Sequence, residues 1–127
     1  MESPNKRRTF LDSVKNCLEG IVYTFNHENN FKREIIIGII VIIFSFILKI
    51  NFIEWCIVLL LINFVLVCEL INTALEKTVD LYTKEYNEIG KVIKDAAGGA
   101  VLTKCIFSST IGIIIFLPKV INLIKEI

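Results

Sequence analysis

The sequence lacks the features that mark several common classes of protein. Its net charge is only +1, from 14 Lys+Arg and 13 Asp+Glu, so the basic excess of nucleic-acid-binding proteins is missing. It has one histidine, His27, and no pair of its four cysteines has CxxC spacing, which argues against a His-rich or Cys-rich metal site. It contains neither a glycine-rich P-loop nor the HRD and DFG motifs of protein kinases. Because the first ~30 residues are polar or amphipathic, we expect no secretory signal peptide.

Apolar residues, in contrast, are abundant. They make up 54% of the chain, against 21% charged residues, whereas soluble domains have about 45–50% apolar residues. They form three long segments, at residues 35–50, 53–75 and 96–121, and a helix of about 20 residues is enough to cross a bilayer core. The alternative is a soluble protein with buried helices, but too little of the chain would remain to cover three of them.

We therefore predict an all-α membrane protein with one domain over residues 1–127. It has an N-terminal amphipathic surface helix and three transmembrane helices, at about residues 35–53, 54–75 and 96–118. Residues 1–33 are predicted to be cytoplasmic or interfacial. The surface helix is indicated by apolar residues at steps of three and four: Phe10, Val14, Cys17, Leu18, Ile21, Val22 and Phe25. Such a helix lies in the membrane interface or packs against the spans.

The distribution of lysine and arginine predicts the orientation of the spans. Six of these residues precede the first span, and four lie between the second and third spans. The connection between the first two spans has one, and the C-terminal end has two. Since positive residues are retained on the cytoplasmic side, the N-terminus and the long loop are predicted to be cytoplasmic. Trp55 then lies at the outer interface, where aromatic residues are common.

A stripe of polar residues crosses the second apolar segment. Its members lie within about 60° of one direction on a helix: Glu69, Asn72, Thr73, Glu76 and Asp80. Glu69 is ~10 Å deeper in the membrane than Glu76, by the helical rise. Carboxylates in a span are costly unless they are neutral, paired or in contact with water, and three of them suit simple helix–helix hydrogen bonding poorly. The stripe predicts either a divalent-cation site, with oxygen ligands for Mg²⁺, or general-base chemistry.

Two sequence runs resemble a known family. ELINTALEKTVD at residues 69–80 and KDAAGGAV at residues 94–101 are similar to the signature of the small bacterial integral-membrane diacylglycerol kinases. Glu28, followed by Phe31 and Glu34, extends the resemblance toward the N-terminus. The resemblance covers nearly the whole chain, and the two longer runs are highly specific.

Two shorter segments, IEW at residues 53–55 and IFLPK at residues 115–119, resemble the Gram-positive branch of the family, which is associated mainly with undecaprenol. The resemblance implies ATP- and Mg²⁺-dependent phosphorylation of a lipid hydroxyl at the cytoplasmic face of the bacterial inner membrane. It also implies a homotrimer with composite active sites. The favoured reaction converts undecaprenol to undecaprenyl phosphate. The alternative is a diacylglycerol kinase that makes phosphatidic acid, and a third option is a small ion-coupled membrane transporter.

The resemblance also implies roles for residues at matching positions. Glu69 would be the general base that takes the proton of the lipid hydroxyl, and Glu28 and Glu76 would hold the metal. The implied nucleotide-binding residues are Glu28, Glu76, Glu85, Tyr86, Asn87, Lys94 and Asp95. Asn72 and Asp80 would support the site. The implied lipid-binding residues are Phe31, Glu34, Glu69 and Gly98.

One residue departs from the family pattern. Lys104 lies ~12 Å into the third span, where an apolar residue is usual in the family. A lysine at that depth either snorkels toward the interface or pairs with an acid. The sequence leaves both alternatives open.

Overall fold

The computed structural model describes Arg7 and residues 9–127, and it is built of four α-helices. The helices are α1 (Phe10–His27), α2 (Asn29–Ile47), α3 (Phe52–Tyr82) and α4 (Glu88–Glu126). No β-strand occurs in the described part of the chain, which confirms the all-α prediction there. Lys6 and Arg8, which belong to the N-terminal charge count, lie outside the described residues.

The first helix begins with a reciprocal cap. Thr9 Oγ1 accepts a hydrogen bond from the Asp12 backbone N–H at 3.2 Å, and Asp12 accepts one from the Thr9 N–H, also at 3.2 Å. This capping box satisfies two backbone donors that have no partner within the helix. Along α1, Leu11 and Leu18 are 77% and 56% exposed, whereas Thr24 is buried. The predicted amphipathic helix is confirmed, and its exposed apolar residues suit a membrane interface.

The boundary between α2 and α3 differs from the sequence-based expectation. The first span was expected to reach residue 53, but α2 ends at Ile47 and α3 begins at Phe52. A second capping box starts α3: Asn51 Oδ1 accepts from the Glu54 N–H at 2.9 Å, and Glu54 accepts from the Asn51 N–H at 3.1 Å. Between the helices, Lys49 has a positive φ of 52°, which turns the chain. Because the side chains on both sides of this turn are apolar, the hydropathy of the sequence does not indicate the turn.

The two C-terminal helices are long enough and apolar enough to cross a membrane. α3 has 31 residues and α4 has 39, so at 1.5 Å per residue each exceeds the ~30 Å bilayer core. Each of the two helices is therefore longer than the span predicted within it. α2 has 19 residues and carries Lys32, Arg33 and Glu34 near its start, which shortens its apolar stretch. Among the described residues, only α3 and α4 are both long enough and apolar enough to cross a membrane.

Packing is concentrated between α3 and α4, and α2 covers one side of α3. At the end away from the α3–α4 loop, Ile50, Val58 and Ile115 form a small buried cluster. At the same end, the ion pair between Lys119 Nζ and Glu54 Oε1, at 3.0 Å, joins α4 to α3. Most other large apolar side chains are exposed. A surface of this kind is suited to lipid rather than to water.

Candidate active site

Three charged side chains from three helices meet inside the helix bundle. They are Glu34 of α2, Glu69 of α3 and Lys104 of α4, and we call them the buried triad. Lys104 Nζ donates to Glu69 Oε2 at 3.2 Å and also pairs with Glu34 Oε1. Its third contact is the Val65 carbonyl oxygen at 3.4 Å. The structure thus selects the paired alternative for Lys104.

Two members of the triad are almost completely shielded, and the Glu34 side chain is 16% exposed. Lys104 is 0% exposed and Glu69 is 2% exposed. A buried ammonium is tolerated only when it is paired and hydrogen-bonded, and the same holds for a buried carboxylate. Two carboxylates that share a site would repel each other, so the lysine compensates one of the two negative charges. The formal charge of the triad is therefore −1 when all three groups are ionised.

Sequence reasoning left the partner of Lys104 unresolved, although one signal pointed to it. Measured from the loop between the last two spans, Glu69 lies ~9 Å into the span predicted at 54–75. Lys104 lies ~12 Å into the span predicted at 96–118. Opposite charges at similar depths in two helices joined by one loop are expected to face each other. The contribution of Glu34 from α2 could not be read in this way.

An apolar cavity of about 360 Å³ lies next to the triad, between α2, α3 and α4. Glu34 and Lys104 line its polar end, and the lining continues along α4 as far as Phe116. Phe116 follows Lys104 by twelve positions on α4, which corresponds to about 18 Å. Glu34 Oε2, a buried oxygen, has no hydrogen-bond partner among the described residues, and the same is true of Ser108 Oγ. The cavity thus combines a long apolar wall with a polar end, and two buried oxygens of its lining residues have no hydrogen-bond partner.

The polar stripe on α3 faces the protein. Glu69 and Thr73 are buried, and Asn72, Glu76 and Asp80 are half-buried. Asn72 Nδ2 donates to Glu76 Oε1 at 3.5 Å, a long hydrogen bond along the helix. The stripe therefore connects the buried triad with the end of α3 nearest the loop.

A second cavity, of about 350 Å³, is formed where the loop joins α3 to α4. All five loop and α4 residues expected to bind nucleotide line it: Glu85, Tyr86, Asn87, Lys94 and Asp95. Lys84 and Lys91 line it as well, which adds positive charge suited to phosphate. We call it the loop cavity.

Helix packing and capping shape the loop cavity. Asn87 Oδ1 accepts from the Gly90 N–H at 2.9 Å and so caps α4. A Cβ atom at Gly90 would lie 3.1 Å from Val79 Cγ1, so the absence of a side chain there allows α4 to approach α3 closely. The capping bond means that the side-chain oxygen of Asn87 is already engaged within the protein.

Ion pairs order the charged side chains of the loop cavity. Lys94 Nζ lies 2.9 Å from Asp80 Oδ1, and Lys91 Nζ lies 2.5 Å from Asp95 Oδ2. The hydrogen bond from Lys94 holds the pKa of Asp80 below its ordinary value. Lys94 is thus tethered to the polar stripe of α3, which links the loop cavity to the buried triad.

The remaining expected site residues are more scattered. Glu28 is half-buried at the junction of α1 and α2, where its N–H bonds to the Thr24 carbonyl at 2.8 Å. Neither Glu28 nor Glu76 lines the loop cavity. Phe31 is only 2% exposed, and Gly98 lies exposed on α4, outside the lining of the apolar cavity. The metal, nucleotide and lipid roles of these residues stay predictions.

Comparison with known proteins identifies the family. Residues 15–116 match the family model described as prokaryotic diacylglycerol kinase. The chain belongs to this family. The undecaprenol kinase of Bacillus subtilis is 40% identical to this kinase over 115 residues, which cover 91% of this chain and 94% of that protein. The match confirms the family and the Gram-positive branch predicted from the sequence.

Other relatives carry a different name. A diacylglycerol kinase from a Synechocystis species is 34% identical to this kinase over 114 residues, covering 89% of this chain and 65% of that protein. A diacylglycerol kinase from Helicobacter pylori is 31% identical over 109 residues, covering 84% of this chain and 85% of that protein. The protein is therefore a lipid kinase of the membrane, and family membership favours this activity over ion-coupled transport.

Proposed function

We propose that this kinase transfers the γ-phosphoryl group of ATP to the hydroxyl group of undecaprenol, giving undecaprenyl phosphate and ADP. The observation that carries the proposal is the position of Glu69. This carboxylate is buried and bonded to Lys104, which together with Glu34 lines the polar end of a long apolar cavity; Glu69 itself lies outside the lining, behind Lys104. A lipid alcohol can place its chain along the apolar wall and its hydroxyl group near the triad. The 40% identity to an undecaprenol kinase over most of the chain supports this acceptor.

Glu69 acts as the general base in this reaction. As the hydroxyl oxygen forms its bond to the γ-phosphorus, Glu69 takes the hydroxyl proton and the bond from phosphorus to the bridging oxygen of ADP breaks. Phosphoryl transfer depends mainly on positioning and on compensation of charge. Glu34 assists through its unpaired Oε2, which can accept a hydrogen bond from the incoming hydroxyl group before transfer.

Nucleotide binding is assigned to the loop cavity, together with Glu28 and Glu76, which lie outside its lining. Lys94 is available to the ATP phosphates, and Glu85, Tyr86, Asn87 and Asp95 surround the same space. The position of the loop cavity beyond the end of the predicted second span fits the arrival of ATP from water. Asp80 keeps Lys94 in place through their 2.9 Å ion pair.

The donor set is suited to Mg²⁺. Glu28 and Glu76 are half-buried carboxylates, and Mg²⁺ is commonly held by one or two carboxylates together with substrate phosphates. The residues described include no cluster of three or more metal-binding side chains, so the remaining ligands would have to come from ATP phosphates and water. When bound, Mg²⁺ neutralises charge on the phosphates. Asn72 supports Glu76 through the hydrogen bond along α3.

The membrane arrangement is also part of the proposal. We infer that α2 is a third transmembrane helix, since its apolar part packs against α3. Gly38 allows this close approach, because a Cβ atom at that position would lie 3.3 Å from Ile62 Cγ2. The lysine and arginine distribution supports a cytoplasmic N-terminus and a cytoplasmic α3–α4 loop in the bacterial inner membrane. A homotrimer with composite sites rests on the family resemblance.

Diacylglycerol is the second candidate acceptor, because several relatives are named diacylglycerol kinases. The deciding experiment measures phosphate transfer from Mg-ATP by purified protein in mixed micelles. Undecaprenol and diacylglycerol are offered separately at equal mole fraction. A strong preference for undecaprenol supports the proposal, and a preference for diacylglycerol replaces it with phosphatidic acid synthesis. No transfer by folded protein to either lipid contradicts both.

A further inference from the structure

Lys104 is the one member of the buried triad that neither takes the hydroxyl proton nor bonds the hydroxyl group in the reaction above. Its ammonium group lies on α4 and reaches the carboxylates of two other helices. Its remaining hydrogen bond is to a backbone atom, the carbonyl oxygen of Val65. Lys104 and Glu69 are both buried, so water screens their interaction little, whereas the Glu34 side chain is partly exposed. A cation in this position acts on the reaction through the two carboxylates.

The chemistry of a general base makes this position significant. A carboxylate can accept the hydroxyl proton only when it is ionised and correctly aimed. Without a cation, two carboxylates in one buried site cannot both remain ionised, because each disfavours the charged form of the other. Glu34 and Glu69 share such a site, and Lys104 is the cation that bonds both.

We propose that Lys104 is a positioning residue for phosphoryl transfer, which holds the Glu69 carboxylate ionised and aligned through their hydrogen bond, while Lys104 itself lines the polar end of the apolar cavity. This inference rests on the proposed function. The geometry explains how one lysine can serve both acids. Lys104 bonds Oε2 of Glu69 and Oε1 of Glu34, and Glu34 Oε2 stays without a protein partner beside the cavity. Lys104 thereby fixes both carboxyl groups relative to α4.

Other acids on the same elements are more distant along the chain. Glu76 lies two helical turns from Glu69 on α3, ~10 Å by the helical rise. Glu28 precedes the start of α2, six residues before Glu34. The ion pairs that Lys104 makes are those with Glu34 and Glu69. Removal of the lysine therefore changes the formal charge of the triad from −1 to −2.

The test compares Lys104→Met and Lys104→Arg in the full-length protein in mixed micelles with Mg-ATP. Lys125→Met is the matched control, because Lys125 is exposed near the end of α4. We expect Lys104→Met to lower kcat at pH 7 by about 100-fold or more, since general-base catalysis contributes about 10²–10⁴-fold. The KM for Mg-ATP should change little. The acid side of the pH–rate profile of Lys104→Met should move to higher pH than in the wild-type protein, so that part of the activity of this variant returns in alkaline solution.

Lys104→Arg keeps the charge and should retain the shape of the wild-type profile, with kcat within about 10-fold of wild type. The double variant Lys104→Met with Glu34→Gln restores the formal charge of −1. It should recover kcat relative to Lys104→Met, even if its KM for lipid rises. It also provides a folded protein for the comparison if the uncompensated pair destabilises the single variant.

Three results would overturn the inference. The first is a kcat for Lys104→Met within about threefold of wild type. The second is a profile lowered by the same factor at every pH, which indicates a structural role only. The third is a double variant that folds but recovers nothing. In each case wild-type transfer persists, so the proposed function stands. Absence of transfer by the wild-type protein to undecaprenol and to diacylglycerol overturns the proposed function, and the role of Lys104 with it.

Discussion

Replacement of Glu69 by glutamine separates the chemistry of this side chain from its packing. The two side chains have nearly the same shape, and the amide oxygen can still accept the hydrogen bond that Lys104 donates at 3.2 Å. Lys104 also keeps Glu34 as its counter-charge, so the formal charge of the triad becomes 0 and no isolated buried charge is created. We therefore expect the free energy of unfolding to fall by only about 1 kcal/mol, the difference between a charged and a neutral hydrogen bond.

Turnover should respond very differently. The amide cannot take the hydroxyl proton, so kcat should fall by about 10²–10⁴-fold, or about 2.7–5.5 kcal/mol in the barrier. The assay measures kcat and the KM for Mg-ATP in mixed micelles, with thermal unfolding in parallel. Glu19→Gln is the control, since it makes the same change at an exposed position on α1. A near-normal kcat would refute the role of Glu69 as base. Loss of folding would refute the charge balance inferred for the triad.

Three further predictions concern other contacts. Glu76→Gln should raise the Mg²⁺ concentration required for half-maximal rate, and an unchanged Mg²⁺ dependence would remove Glu76 from the ligand set. Lys94→Met should raise the pKa of Asp80 toward its ordinary value, measured by NMR titration. Because the pKa of Asp80 is lowered in the folded protein, its ion pair with Lys94 stabilises the fold fully above the ordinary pKa of Asp80. This stabilisation is lost as the pH falls through the lowered value. An Asp80 titration that is the same in Lys94→Met would contradict this. Lys119→Ala should cost at most ~1 kcal/mol of unfolding free energy, since Lys119 and Glu54 are both partly exposed; a larger loss would show a role beyond this pair.

Much of the architecture could be predicted because it depends on local patterns. The apolar steps of α1 require only that a helix has 3.6 residues per turn, and the structure forms that helix over Phe10–His27. The polar stripe follows from the same periodicity, which brings Glu69, Thr73 and their neighbours to one face. The five loop-cavity residues were implied by the family resemblance; they line one cavity because residues 85–95 belong to one loop and the helix it begins, and their nucleotide role stays a prediction.

The end of α2 was missed although a local signal was present. Asn51 and Glu54 have the spacing of a capping box, and the structure forms both of its hydrogen bonds. Continuous apolar residues on both sides outweighed this signal in the hydropathy pattern. A short turn inside an apolar region leaves little trace in average hydropathy, because its side chains remain apolar while its backbone changes direction.

By itself, the sequence determined the helical class, the long apolar segments, the amphipathic first helix and the family to which the chain belongs. These properties depend on composition, on periodicity and on runs of adjacent residues. Only the tertiary structure decided the partners of Lys104. Glu34 and Glu69 lie 70 and 35 residues from it along the chain, and nothing local selects between pairing and snorkelling. The packing of α2, α3 and α4 buries the ammonium group away from water, and a buried ammonium must then find the carboxylates that the same packing brings within reach.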